Sequence, residues 1–204
     1  MDLMDYFSGD SPSSDVFYTA IMRDCYANRM LVFNRDVDGD LIEDFILHII
    51  QWNREDKGLK PEDRKPITIL INSQGGDLIL SFALIDICTN SQTPIRTVCV
   101  GTAASAAYLI FLCGDERVAF PNSVLLQHDG AIEISNSSSK AKDTMRFIDD
   151  LDARTKQYVL SHTKMTEEWY DDHYNKEYFM YANDEGRKFG CVDKIIGEDC
   201  GLDV

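Results

Sequence analysis

One pattern constrains this chain more than any other. An apolar strand, a turn of small residues and a buried helix follow one another, and the unit then repeats. Ile67 to Ile71 is a β-branched apolar run, and Asn72-Ser73-Gln74-Gly75-Gly76 is the turn. Leu78 to Cys88 is apolar enough for a buried helix. The second unit runs from the strand Ile95 to Val100 into Gly101 to Leu112, an Ala-rich stretch read as a second buried helix. Short strands follow at Arg117 to Ala119 and Val124 to Gln127. A long helix at Asp143 to His162 carries Met145, Ile148, Leu151, Tyr158 and Val159 along one stripe. Strands alternating with helices dictate an α/β domain with a mainly parallel sheet.

The rest of the chain fits one such domain. Residues 1–15 read as a flexible tail ahead of a domain spanning 16–204. Residues 17–26 give a helical turn or two, and Arg29 to Phe33 a strand. An Asp- and Gly-rich turn at 36–40 leads into an amphipathic helix over 40–53. Residues 54–66 are charged, hold two prolines and read as a loop. Ile132 and Ile134 alternate with Glu133 and Ser135, a strand signal in a segment that precedes the long helix.

Composition narrows the function. With 44% hydrophobic residues a sizeable core is available. Thirty-five acidic residues against 20 basic leave a net charge of −15, which argues against nucleic-acid or anionic-membrane surfaces. No run reaches the roughly 18 apolar residues of a membrane span. Met1 to Asp15 is acidic and Ser-rich, unlike a secretory signal. The six cysteines form no C-x-x-C pair, so no zinc site is expected, and small buried thiols in a reducing cytoplasm account for them.

Two residues stand out chemically. Ser105 lies amid Gly and Ala at a strand-to-helix turn, where a nucleophile can be exposed and helix-start N–H groups can meet a developing oxyanion. His128 ends the apolar run Val124-Leu125-Leu126 before Asp129-Gly130. Together these features resemble the ClpP family, the proteolytic subunit of Clp proteases. The stretches that carry the resemblance are ILINSQGGDLILSFALIDI (69–87), VGTAASAAYLIFLCGDERVAFPNSVLLQHDG (100–130), HTKMTEEWYDDHYNKEYF (162–179) and FGCVDKII (189–196). The likeness extends from about Arg29 to Ile196.

The resemblance implies a ClpP/crotonase-like fold with a long handle helix. It implies Ser105 as nucleophile, His128 as general base, and the backbone N–H groups of Gly76 and Ala106 as the oxyanion hole. An ungapped reading from His162 to Phe179 puts Glu177 where the family has its aspartate; Asp171 and Asp172 are rival acids. No metal or other cofactor is implied in the subunit. Further implications are unfolded polypeptide substrates, a heptameric ring or a stacked tetradecamer, an AAA+ unfoldase such as ClpX or ClpA as partner, and a cytoplasmic location. The chain departs from the family pattern after the histidine, where Asp129-Gly130-Ala131-Ile132 replaces a Gln-Pro and paired glycines. It departs again before Arg29, and at 54–66, which looks like an insertion. A catalytically impaired ring subunit, an acyl-CoA hydratase or isomerase, and a phage-type maturation peptidase are the competing expectations.

Overall fold

A computed structural model describes residues 14–135 and 137–202. Its sheet follows from the apolar runs. Strands β1 (Met30–Phe33), β2 (Ile67–Ser73) and β3 (Ile95–Ala104) pair in parallel, with β4 (Glu116–Ala119) and β7 (Lys194–Ile195) continuing the same direction. Parallel strands covered on both faces read as continuous apolar runs, and Ile67, Ile69 and Ile71 are fully buried.

Strand β3 is the pivot of the fold. Its first half, Arg96–Cys99, pairs with β4, and its last residues, Thr102–Ala104, pair with β5 (Val124–Gln127). The strand thus forks, and its end is carried toward β5. Strand β6 (Tyr178–Tyr181) then pairs antiparallel with β5.

Helices fill both sides. Helix α1 is Ser14–Ala27, α2 is Leu47–Glu55 after a π-turn at Ile42–Ile46, and α3 is Leu78–Thr89. Helix α4, Ala106–Leu112, has all seven residues buried and forms the centre of the core. Burying each of its large side chains contributes about 1.5–3 kcal/mol. Helix α5, Ser138–His162, spans 25 residues, and α6 is Glu167–His173. The C-terminal half of α5 is anchored: the Tyr158 hydroxyl donates to Leu109 O at 3.1 Å, and Arg117 Nη1 donates to His162 O at 2.7 Å. Its N-terminal half projects with Met145 and Phe147 exposed. Among the described residues no helix is long and apolar enough to cross a membrane.

Several expectations need correction. Residues 101–104 continue β3 rather than opening a helix, because hydrogen bonding to β2 and β5 overrides the helix preference of the Ala-rich stretch. Residues 132–135 form no strand; they are irregular and have no ladder partner among the described residues. The long helix starts at Ser138, five residues before the expected start at Asp143. Of its apolar stripe only Val159 is fully buried. The tail expected over 1–15 lies outside the described residues up to position 13, and Ser14 and Asp15 already belong to α1.

A buried ion pair ties the edge of the sheet to α2. Arg29 donates to both oxygens of Asp56, at 2.6 and 2.7 Å, and the Thr93 hydroxyl donates to the same carboxylate at 2.7 Å. Asp56 is only 2% exposed. The Arg29 guanidinium holds this carboxyl below its ordinary range, against the opposing effect of burial. Asp56→Ala leaves Arg29 without its main partner, so urea unfolding should show a loss of about 3–5 kcal/mol. Because the folded carboxyl titrates lower than the unfolded one, its contribution is present above the unfolded value near ~4 and is lost as pH falls through the folded value. The variant should therefore lose less stability between pH 5 and pH 3 than the parent, on scales of about one to two pH units.

Candidate active site

Ser105 sits where β3 stops and α4 starts, and its backbone is strained there. Its φ is +55° and ψ −125°, a conformation that non-glycine residues rarely hold. Such strain is of the order of ~1–3 kcal/mol and persists only where surrounding contacts enforce it. Here Ser105 N donates to Leu126 O at 3.0 Å, which locks the turn onto β5. Ser105 O accepts from the amides of Tyr108 and Leu109 and so begins α4. The side chain is thereby turned out at a sharp strand-to-helix bend, as in nucleophile elbows.

The Gly75-Gly76 doublet is pressed against this bend. A Cβ on Gly75 would lie 2.7 Å from Ala104 O and from Ser105 Cβ, and one on Gly76 would lie 2.5 Å from Val37 O. Both glycines have positive φ, +104° and +144°. Val37 clamps them by donating to Gly75 O at 2.8 Å and accepting from Asp77 N at 2.9 Å. The amides of Gly76 and Ala106 have no backbone acceptor among the described residues. Two N–H groups beside a serine, left unused by the fold, are what an oxyanion requires.

His128 and Glu177 meet through strand register. Strand β5 pairs with β6 so that Gln127 faces Tyr178. The next residue on each side is His128 and Glu177, and His128 Nδ1 lies 2.8 Å from Glu177 Oε1. The imidazole is 22% exposed and the carboxylate 62%. No hydrogen bond joins Ser105 to His128 among the described residues; such contacts often tighten only when substrate binds. Ser105, Ala106, Gly76 and His128 line one cavity of about 710 Å³.

The rival acids lie elsewhere. Asp171 pairs with Lys156 at 2.7 Å, and Asp172 is exposed on α6. The buried thiols of Cys99 and Cys191 are poor nucleophiles. All six are free, and burial pushes those of Cys99 and Cys191 up to about 11, so both are protonated at neutral pH. No group of three or more metal-ligating side chains occurs among the described residues.

Sequence reasoning missed part of the supporting frame. Asn72 Oδ1 accepts from Thr102 N at 3.1 Å, which holds the ends of β2 and β3 together, and Asn72 Nδ2 donates to Asn34 Oδ1 at 2.7 Å, just past the end of β1. Val37 was equally silent, since a clamp made by backbone atoms leaves no side-chain signature. Gly75 had a signal, its place in a doublet before a helix.

The forked parallel sheet, the strained serine turn and the long projecting helix define a ClpP-like α/β domain. The family model for Clp protease matches residues 14–199, nearly the whole chain. The chain belongs to the Clp protease family, and is a ClpP-like peptidase.

Proposed function

We propose that this chain is a serine endopeptidase that hydrolyses unfolded polypeptides through Ser105, His128 and Glu177. The observation that carries this reading is the 2.8 Å contact between Glu177 Oε1 and Nδ1 of His128, which lines the cavity that holds Ser105. Glu177 fixes the tautomer in which Nδ1 bears the proton, leaving the Nε2 lone pair for the serine. Ser105 Oγ attacks the scissile carbonyl carbon while its proton passes to Nε2. The carbonyl oxygen becomes an oxyanion held by the Gly76 and Ala106 amides. Collapse of the tetrahedral species breaks the C–N bond, and His128 returns its proton to the departing amine. Water then hydrolyses the acyl-serine by the same proton route.

The assembly reading draws on the surface. Val16, Tyr18 and Ile21 of α1 and Met145 and Phe147 of α5 are large apolar side chains left exposed on a single chain, and patches of this kind mark contact faces. They support self-association, and membership of the Clp protease family is what suggests a homo-oligomeric ring, heptameric or doubled to a tetradecamer, fed by an AAA+ unfoldase of the ClpX or ClpA type in the cytoplasm. A second reading, a catalytically impaired ring subunit, draws on the missing Ser105–His128 hydrogen bond and the exposure of Glu177.

One sample distinguishes them. Light scattering should report a particle several times the 23.2 kDa subunit, and a fluorophosphonate should label Ser105 in that particle. A labelled monomer overturns the ring; an unlabelled ring favours the impaired subunit.

A further inference from the structure

The cavity beside Ser105 has a one-sided charge. It runs from Ser105 and Ala106 to the inner face of α5, where Ile148, Asp152 and Thr155 recur at helical spacing. Its acidic lining residues are Asp77, Asp129, Asp149 and Asp152, and its one basic lining residue is His128, among the described residues. Asp77 is occupied, since its carboxylate accepts from Leu80 N at 2.9 Å and caps α3. Asp129 and Asp149 are exposed, whereas Asp152 is half-buried.

No ion pair to Asp152 occurs among the described residues. Lys156, one turn further along α5, is engaged by Glu167 at 2.9 Å and Asp171 at 2.7 Å. Tyr174 lies against Asp152 in the cavity lining, and burial and then hydrogen bonding to the Asp152 carboxylate keep its hydroxyl neutral. A second acceptor belongs to the same wall. Gln127 is 3% exposed, its Nε2 donates to the Tyr170 hydroxyl at 3.5 Å, and its Oε1 has no hydrogen-bond partner. A buried amide oxygen without a donor is unusual in a folded chain. Leu126, Ile148 and Leu151 supply apolar wall beside these acceptors.

We propose that this cavity is a cation-selective substrate pocket. It takes a lysine or arginine side chain of the residue that supplies the scissile carbonyl, with Asp152 as the specificity-determining carboxylate and Gln127 Oε1 as the second acceptor. A long aliphatic stem lies along the apolar wall while its charged head reaches the carboxylate. The proposal rests on the peptidase reading of Ser105.

The test uses the full-length protein and three fluorogenic peptides that differ only at the residue before the fluorophore: lysine, norleucine or glutamate. A hydrogen bond to a charged group is worth about a tenfold or larger factor in affinity. The kcat/KM for lysine should therefore exceed that for norleucine by about tenfold or more, with glutamate lowest. Asp152→Asn should bring the lysine-to-norleucine ratio close to one, and Asp152→Glu should restore a lysine preference. A norleucine peptide turned over as well as the lysine peptide overturns the pocket, as does an equal fall for all three peptides in Asp152→Asn. Fluorescence anisotropy on Ser105→Ala separates this outcome from failure of the peptidase reading. If no peptide is cleaved and no serine is labelled, that reading falls, while tighter binding of the lysine peptide still upholds the pocket and equal binding removes it.

Discussion

Ser105→Ala should lower peptidase kcat by about five to six orders of magnitude while leaving the particle intact. The size follows from the chemistry: without the hydroxyl no acyl-enzyme forms, and the Gly76 and Ala106 amides are left to act on direct attack by water. A residual rate above the uncatalysed reaction is expected from those amides and from binding alone. The fold should tolerate the change. Alanine meets the same backbone strain at φ +55° as serine does, and Ser105 is held there by its own N–H and C=O, which the substitution keeps. Equal urea midpoints for the two proteins, with fluorophosphonate labelling abolished, are the expected pair of results. Unchanged labelling would mean that another serine is the nucleophile.

The parts of this molecule that were legible in the sequence are those written in side chains. The runs Ile67–Ile71 and Val124–Gln127 read as strands because their burial demands apolar residues, and they lie where expected. Residues 101–104 misled for a physical reason. Small residues are required there so that β2, β5 and the Gly75 backbone can approach Ser105, and the same composition is what a buried helix shows. Strand β6 was invisible as a strand. Tyr178-Phe179-Met180-Tyr181 alternates exposed and buried positions too briefly for a period to emerge, and its identity depends on β5. The site inherits this division. Ser105 and His128 stood out by residue type and context, and Glu177 came from resemblance. What brings Glu177 to His128 is the pairing of Gln127 with Tyr178, a fact of register that no single stretch of sequence contains.

That register gives the second large effect its argument. Glu177→Gln keeps the shape of the side chain and its place opposite His128, but removes the charge that stabilises the imidazolium formed when Ser105 gives up its proton. A fully buried triad acid is worth about 10⁴ in kcat by such a substitution. Glu177 is 62% exposed, so water can take over part of its task, and a fall of about a hundredfold is expected instead. Glu177→Asp retains charge and loses one methylene of reach across a 2.8 Å contact, so it should fall less than the Gln variant. Asp171→Asn and Asp172→Asn should change kcat little, because Asp171 is committed to Lys156 and Asp172 is exposed on α6. An Asp variant that loses activity while Glu177→Gln keeps it would reassign the acid. The decisive comparison is made in the Ser105→Ala background. There the proton that Glu177 helps to move no longer exists, so adding Glu177→Gln should cost nothing further, as expected of residues that act as one unit. A full additional hundredfold loss in the double variant would show that Glu177 supports the fold or the substrate cleft rather than the proton transfer.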